Sequence, residues 1–365
     1  MPLLSIKSRA VESRNCYMGR VSTYKYLGVV FSAEHGLAAG FPHLHGRLQA
    51  SWARLQLQFA ELGDGLSLAL MRQLFMQAVP RAGSYACEVW GIRRLCGPVK
   101  KDRDHLARAH VKLWRRLLQL PDSVATAIVL RELRVLSPEH IWLRSTCRFW
   151  NAQALRPGDC LWRAVALSDW DDAIARNVKN WAWSVYMRLT DLGYPVHVDR
   201  RRLAVLSIDT VMRLHTARER ACWQQCDVCP RTGPSEGATL CKYLRWFSLP
   251  DSVRANPYFR LRLGLARVLQ VVRFRLGCST LPSVAQRNQG VHRAARVCLC
   301  CDQGVIGDEY HVVFECPATR AARAPFAHLS RTSTMLAFSR NPDTLTVAKC
   351  ILACLHEVHL LAAQP

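Results

Sequence analysis

Three cysteines and one histidine, residue types that bind metals, follow one another near the carboxy end of the chain, in the segment RVCLCCDQGVIGDEYHVVFECP (296–317). The spacing C-x2-C-x9-H-x4-C is formed by Cys298, Cys301, His311 and Cys316. Two cysteines two residues apart can bind one ion from a tight turn, and the histidine and third cysteine can complete a tetrahedron. Three thiolates and one imidazole are a closed zinc set with no open position. The spacing therefore predicts a structural zinc site that folds this segment and does not catalyse.

Other interpretations of the cysteines stay open at this point. The same four residues could be buried thiols around a core histidine that is already hydrogen-bonded. Cys300 could replace Cys301 only with a poor one-residue spacer, so we expect it to be a bystander. A weaker second set contains Cys222, Cys226, Cys229 and Cys241. No histidine completes that set, and ordinary packing with exposed thiols is the favoured interpretation.

The charge of the chain is strongly positive. Basic residues number 50 and acidic residues 27, which gives a net charge of +23, and 42 of the basic residues are arginine. Such a surplus favours a polyanionic partner, of which nucleic acid is the commonest. Between Arg254 and Cys300 there are nine arginines, no lysine and no acid. Within this segment the candidates for phosphate contact are Arg273, Arg275, Arg287, Arg293 and Arg296. The alternative for each is ordinary surface charge.

Composition also bounds the class of protein and its compartment. Half of the residues are hydrophobic, as in globular chains, and no apolar run approaches the roughly 20 residues of a membrane span. The first residues have no signal-peptide pattern, so we expect a protein that is not secreted and lies in the nucleus or cytoplasm. The sixteen cysteines should then be reduced thiols or metal ligands.

Periodicity predicts a mainly α fold with a short amino-terminal β-hairpin at 15–32. Helices are expected at about 44–62, 66–79 (ending at Pro80), 98–119, 137–155, 161–192, 208–225, 261–276, shortly after Pro317 and at 344–361. Ser137 is the expected N-cap of the fourth of these helices, with Pro138 at its first position. The predicted regions are 1–33 (hairpin), 34–228 (helical, thumb-like), 229–250 (linker), 251–331 (arginine-rich helix and zinc knuckle) and 332–365 (final helix).

Three stretches together resemble the carboxy-terminal part of reverse transcriptases of non-LTR (LINE-type) retrotransposons. YKYLGVVF resembles their last conserved block, MRQLFMQAVPRAGSYACEVWG with KLWRRLLQLP resembles the helical thumb, and the segment ending in EYHVVFECP resembles their CCHC zinc knuckle. The resemblance implies RNA or DNA template–primer as partner. It implies that Tyr26, Leu27 and Gly28 support a primer end, with Lys25 near a phosphate. Val297 and Tyr310 could stack on unpaired bases, or pack against the metal site.

The chain departs from that family where catalysis would lie. The family's polymerase needs paired aspartates that hold magnesium, and they precede the YLG block. Only 25 residues precede Tyr26, and none is an aspartate. The adjacent pair Asp171–Asp172 lies far downstream in a helical context, so we expect solvated charges there.

We therefore expect a nucleic-acid-binding piece without catalysis of its own. Magnesium would be used only with a palm portion of the same polyprotein. The alternative is a helical protein-interaction module with a structural zinc site.

Overall fold

The computed structural model describes residues 22–26, 29–32, 37–96, 105–228, 239–248, 256–329 and 334–362. The chain divides into two compact units, Met1–His43 and Leu44–Pro365. In the first unit, strand β1 (Thr23–Tyr26) pairs antiparallel with strand β2 (Val29–Ser32). Tyr26 lies opposite Val29, and Thr23 lies opposite Ser32. Of the predicted hairpin, residues 15–21 and 27–28 lie outside the described residues.

The second unit is built from helices, and the prediction of a mainly α chain is confirmed. The helices are α1 (Phe41–Leu62), α2 (Leu68–Gly83), α3 (Cys87–Leu95), α4 (His105–Leu117), α5 (Thr126–Leu133), α6 (Pro138–Ala154), α7 (Leu161–Ala175), α8 (Trp181–Asp191), α9 (Ile208–Val228), α10 (Thr239–Trp246), α11 (Leu265–Arg275), α12 (Pro282–Asn288), α13 (Arg320–Arg323), α14 (Met335–Ser339) and α15 (Thr344–Ala362). Short 3-10 turns lie at Pro257–Arg260 and Arg293–Ala295, and a π-helical turn lies at His311–Glu315.

Local signals explain where several of these helices form. The predicted apolar face of α1 is buried along its length, at Leu44, Leu48, Trp52, Leu55 and Phe59. The Ser137 hydroxyl accepts a hydrogen bond from the His140 N–H at 3.1 Å, which caps α6 as predicted, and Pro138 occupies the first turn.

Three predicted boundaries are wrong. The helix predicted at 161–192 is divided into α7 and α8, with a break at 176–180. α2 continues through Pro80 to Gly83, and the Ser84 N–H donates to the Pro80 carbonyl at 2.9 Å. A proline removes one N–H from the ladder, and here it lies in the last turn of a helix that is packed on its neighbours. The predicted linker at 229–250 contains α10, which buries Tyr243. Residues 229–238 lie outside the described residues.

One part of the core is formed by α3, α6, α7, α8 and α9. Trp150 of α6 and Trp170 of α7 lie at its centre, with ring centroids 5.4 Å apart at 82°. α3 approaches α6 so closely that a Cβ at Gly91 would lie 2.9 Å from the Trp142 Cβ. The edge-to-face packing of the two indoles orients α7 on α6. The close approach at Gly91 orients α3 on α6.

The carboxy-terminal segment packs on the helical middle through a buried ion pair. The Arg275 Nε donates to Glu132 Oε1 at 2.7 Å, and both side chains have no exposed surface. The Tyr243 hydroxyl donates to Glu132 Oε2 at 2.8 Å, and the Asn256 amide donates to the Glu132 carbonyl at 3.0 Å. α11, α10 and the turn at Pro257 therefore all converge on the end of α5.

α15 is the one helix among the described residues that is long and apolar enough to cross a membrane. It also packs inside the protein, where it contacts α11, α13 and α14. Its buried residues are Val347, Ala348, Cys350, Ile351, Cys354, Leu355 and Val358. Core helices have the same composition, so its hydropathy alone does not indicate a membrane span.

Candidate metal centre and basic segment

The first half of the predicted zinc site is held by a tight backbone turn. Val297 and Ile306 form an antiparallel bridge, and the Cys298 N–H donates to the Val305 carbonyl at 2.7 Å. A Cβ at Gly307 would lie 2.8 Å from the Cys298 Cα, so only glycine fits this crossing. The turn places Cys298 and Cys301 on one side of the loop.

The second half is a capped π-helical turn. Asp308 Oδ1 accepts hydrogen bonds from the N–H groups of Tyr310 (3.1 Å) and His311 (3.2 Å), which satisfies two donors at the start of the turn. The Cys316 N–H donates to the His311 carbonyl at 2.7 Å. Thr319 Oγ1 and Arg323 Nη2 donate to the Cys316 carbonyl. His311 and Cys316 are thus fixed by the backbone on both sides.

The four predicted side chains come together. Their ligand atoms all lie within 4.8 Å of one another, and Cys298, His311 and Cys316 are buried. The Cys298 and Cys316 sulfurs are 3.9 Å apart, and the Cys301 sulfur is 3.4 Å from His311 Nε2. In a tetrahedral zinc site with usual bond lengths, S···S and S···N edges are about 3.8 Å and 3.5 Å. The cluster can therefore hold a metal ion with little rearrangement, and Cys300 does not belong to it.

Electrostatics around the cluster fit a cation. Burial, with a smaller contribution from Cys316, raises the pKa of Cys298 to about 12, so a bound cation is needed for thiolates to form at neutral pH. The other ring nitrogen of His311, Nδ1, lies 3.6 Å from a carboxylate oxygen of Glu315. This distance is too long for a hydrogen bond, so Glu315 contributes a nearby negative charge. The eleven cysteines whose side chains are described are all free thiols.

Arg275 does not have the role predicted for it. Its side chain is fully buried, and it is bonded to Glu132 and to the Phe247 carbonyl at 2.7 Å. Burial acts to lower its pKa, but Glu132, with smaller contributions from Tyr258 and Tyr243, outweighs burial and raises it. The prediction that Arg275 contacts phosphate is wrong in this structure, because the guanidinium has no exposed surface and is bonded to Glu132 and the Phe247 carbonyl.

The other predicted arginines lie nearer the surface. The Nε and Nη2 atoms of Arg273 both donate to the Gln119 carbonyl, at 3.2 and 2.8 Å. Arg287 donates to the Gly277 carbonyl at 3.0 Å, and Arg296 to the Val291 carbonyl at 2.8 Å. Arg287 and Arg296 line the same small cavity of about 30 Å³. Arg293 lies in a 3-10 turn, and its side chain is outside the described part of the structure.

The Arg287–Arg296 cavity lies against the metal-binding segment. Lys242 of α10 also lines it and is bonded to Asp308 and Glu309, each at 3.2 Å. Lys242 could not be predicted from the sequence, because only the fold brings α10 to this segment.

The remaining predicted contacts are in the first unit. Lys25 and Tyr26 lie in β1, opposite Val30 and Val29. Leu27 and Gly28 lie outside the described residues, as do the side chains of Lys25 and Tyr26. The prediction of a primer-supporting role for these residues stays a prediction.

No protein-family model matches this chain, and neither does any curated protein or solved structure. A functional assignment of the chain therefore depends on the geometry of its own sites.

The predicted base-stacking residues are engaged in packing. The ring centroid of Tyr310 lies 5.1 Å from that of Phe314 and 6.3 Å from that of Trp246. Val297 forms the backbone bridge with Ile306. Both residues are half-buried, so packing beside the metal cluster, the alternative that the sequence left open, describes them.

The adjacent aspartates Asp171 and Asp172 lie near the end of α7 and form separate ion pairs. Asp171 bonds to Arg200 at 2.6 Å, and Asp172 to Arg176 at 3.0 Å. They are partly exposed helix charges, as expected, and their carboxylates are committed to different partners.

A second group of possible ligands consists of His140 of α6 with His215 and Glu219 of α9. A metal is disfavoured here, because Arg188 Nη2 lies 3.1 Å from His215 Nδ1 and Ser137 donates to Glu219 at 2.6 Å. Metal-bound histidines donate their second nitrogen, whereas His215 accepts from a guanidinium. The group is a buried cluster between α6 and α9, in which Ser137 and Arg188 are hydrogen-bonded to Glu219 and His215.

Proposed function

We propose that this chain binds nucleic acid as the carboxy-terminal part of a LINE-type reverse transcriptase, with a zinc ion that stabilises its basic segment. The Cys298, Cys301, His311 and Cys316 cluster supports zinc, because three thiolates and one imidazole are the donors that structural zinc prefers. All four ligands come from the protein, so the ion would stabilise the fold and leave no position for substrate.

Zinc content tests the metal assignment. Purified protein should contain about one zinc per chain, and Cys316→Ala should lose it. Cys300→Ala is the matched control, because Cys300 lies beside a ligand but outside the cluster. Both variants would be measured by elemental analysis together with a helical circular-dichroism spectrum. Equal zinc in the Cys316→Ala and wild-type proteins would contradict the ligand set.

The net charge of +23 is the observation that carries nucleic-acid binding, and the basic segment supplies its location. Arg296 directly precedes the metal-binding turn, and its carbonyl accepts from the Gly307 N–H at 3.2 Å. Zinc binding would therefore fix the backbone of Arg296. A guanidinium carries five donors, so Arg287 and Arg296 can bind a phosphate and keep their bonds to carbonyl groups.

Salt dependence of binding tests the function. Anisotropy of labelled single-stranded RNA and DNA should show affinity falling steeply between about 50 and 200 mM salt. Arg287→Gln and Arg296→Gln should each reduce the salt slope by about 0.7, and Arg81→Gln, an exposed position on α2, should leave it unchanged. Primer extension with magnesium should give no product, because the adjacent Asp171 and Asp172 are each paired with an arginine.

A chain that binds a protein and not nucleic acid would favour the alternative function. Exposed apolar residues on α7, such as Leu161 and Trp162, could serve a protein partner. Absence of nucleic-acid binding, with salt-insensitive association of the chain with a protein, would replace the proposed function by a helical interaction module.

A further inference from the structure

An aromatic cavity of about 120 Å³ lies in the helical middle, and none of its lining residues belongs to the candidate metal centre or the arginine-rich segment. Four aromatic residues from four different elements line it: Trp150, Trp170, Tyr186 and Tyr194. An engineered protein cavity of about 150 Å³ holds benzene, so this volume is suited to one six-membered ring, with the remainder of a ligand outside.

The walls of the cavity are preformed. The connection between α8 and α9 closes one side and is tied to the helices by side chains. The indole N–H groups of Trp150 and Trp170 donate to the Ala204 and Asp199 carbonyls, each at 2.8 Å. The Tyr194 hydroxyl accepts from the Ser207 N–H at 2.9 Å. A ligand would meet an ordered surface and would not have to order the loop first.

The connection that closes the cavity carries three basic residues. They are Arg200, Arg201 and Arg202, between the lining residues His197 and Ala204. Arg200 is paired with Asp171, whereas Arg201 and Arg202 are exposed and their guanidinium groups have no ion pair among the described residues. None of the described side chains that line the cavity is acidic. This charge opposes a cationic ligand and favours a flat neutral ring that carries a phosphate.

We propose that this cavity binds one unstacked nucleobase of a single strand, a pyrimidine by volume, while Arg201 and Arg202 contact the adjacent phosphates. The inference rests on the proposed function and adds a second contact area to it. Base–aromatic stacking contributes about 1–3 kcal/mol per base, which corresponds to about 5- to 150-fold in affinity.

The experiment compares two ligands that have the same phosphates. The full chain is titrated with a single-stranded oligo-dC and with an abasic oligonucleotide of equal length. Ala204→Leu fills the cavity, and Tyr186→Leu removes an aromatic wall. Both variants should weaken oligo-dC binding about tenfold and leave abasic binding unchanged. Arg201→Gln with Arg202→Gln should weaken both ligands.

The controls separate this inference from the proposed function. Trp162→Leu removes an aromatic ring that is 65% exposed on α7 and does not line the cavity, so it should change neither titration. Cavity variants that change neither ligand, or both equally, would overturn the pocket while nucleic-acid binding stands.

If neither oligonucleotide binds, the proposed function fails, and the pocket is then tested with cytidine monophosphate. Absence of binding at millimolar cytidine monophosphate, or preference for tetramethylammonium, would overturn the pocket as well.

Discussion

The buried pair of Glu132 and Arg275 offers the sharpest test of the fold. Replacement of Glu132 by glutamine preserves the shape of the side chain but removes its charge. Both carboxylate oxygens are used, Oε1 by Arg275 Nε at 2.7 Å and Oε2 by Arg275 Nη2 at 3.2 Å and the Tyr243 hydroxyl at 2.8 Å. An amide nitrogen at either position would face a donor, and the Arg275 charge would be left buried without a counter-ion.

The size of the effect depends on the charge that is left buried. Loss of one partner of a fully buried ion pair costs about 3–5 kcal/mol, most of it the penalty for the uncompensated charge. Domains are stable by only about 5–15 kcal/mol, so Glu132→Gln should remove a large part of the stability of the second unit. Because α10 and α11 meet at this carboxylate, the loss should be cooperative and not local.

Urea unfolding followed by tryptophan fluorescence measures the effect, with zinc present in all samples. Glu61→Gln, an exposed acid on α1, is the control and should change the free energy of unfolding by less than about 0.5 kcal/mol. The double variant Glu132→Leu with Arg275→Met removes both charges and should recover at least half of the loss. A Glu132→Gln protein within about 1 kcal/mol of wild type would refute the argument.

Two further predictions concern the metal-binding turn and the histidine network. Gly307→Ala places a Cβ 2.8 Å from the Cys298 Cα, so it should weaken zinc binding at least tenfold in a chelator competition, whereas Gly46→Ala, with open space around it, should not. Burial lowers the pKa of His140 to about 4 and that of His215 to about 3, with neighbouring positive charge as a further cause. Stability should therefore be full above about pH 6.5 and decline below it, by about 2 kcal/mol per histidine at pH 5, because the unfolded chain binds the protons. The free energy of unfolding of His140→Leu should depend less on pH, which separates the histidine effect from acid-driven metal release. Equal free energies of unfolding of the wild type at pH 7 and pH 5 would contradict the prediction.

Features that depend on a few neighbouring residues could be predicted from the sequence. The apolar face of α1 repeats every three or four residues, and the burial of Leu48 and Leu55 follows from that period. The cap of α6 needs only Ser137 and its own helix. The metal cluster spans nineteen positions, and glycine at Gly307 supplies the crossing that brings its halves together.

Features that depend on distant partners could not be predicted in this way. Asp171 and Asp172 could be recognised from the sequence as helix charges. The partner of Asp171 could not, because Arg200 lies beyond α8, in the connection to α9. The helix at 239–246 lies within the predicted linker. The prolines and glycines at 230–237 dominate the local composition, so the sequence predicts a linker there. The aromatic cavity joins three helices and a connection, and no short motif marks it.

Dependence on a distant partner also reduces the number of arginines in the arginine-rich segment that can contact phosphate. Arg275 and Arg273 are two residues apart with the same local composition, yet only Arg275 meets Glu132, 143 positions away. Five phosphate contacts would give a single-strand salt slope of about 3.5, and four would give about 2.8. Replacement of Arg273, Arg287, Arg293 and Arg296 together by glutamine should therefore reduce the measured slope by at most about 2.8. A reduction well below about 2.8 would mean that at least one of these four arginines does not contact a phosphate.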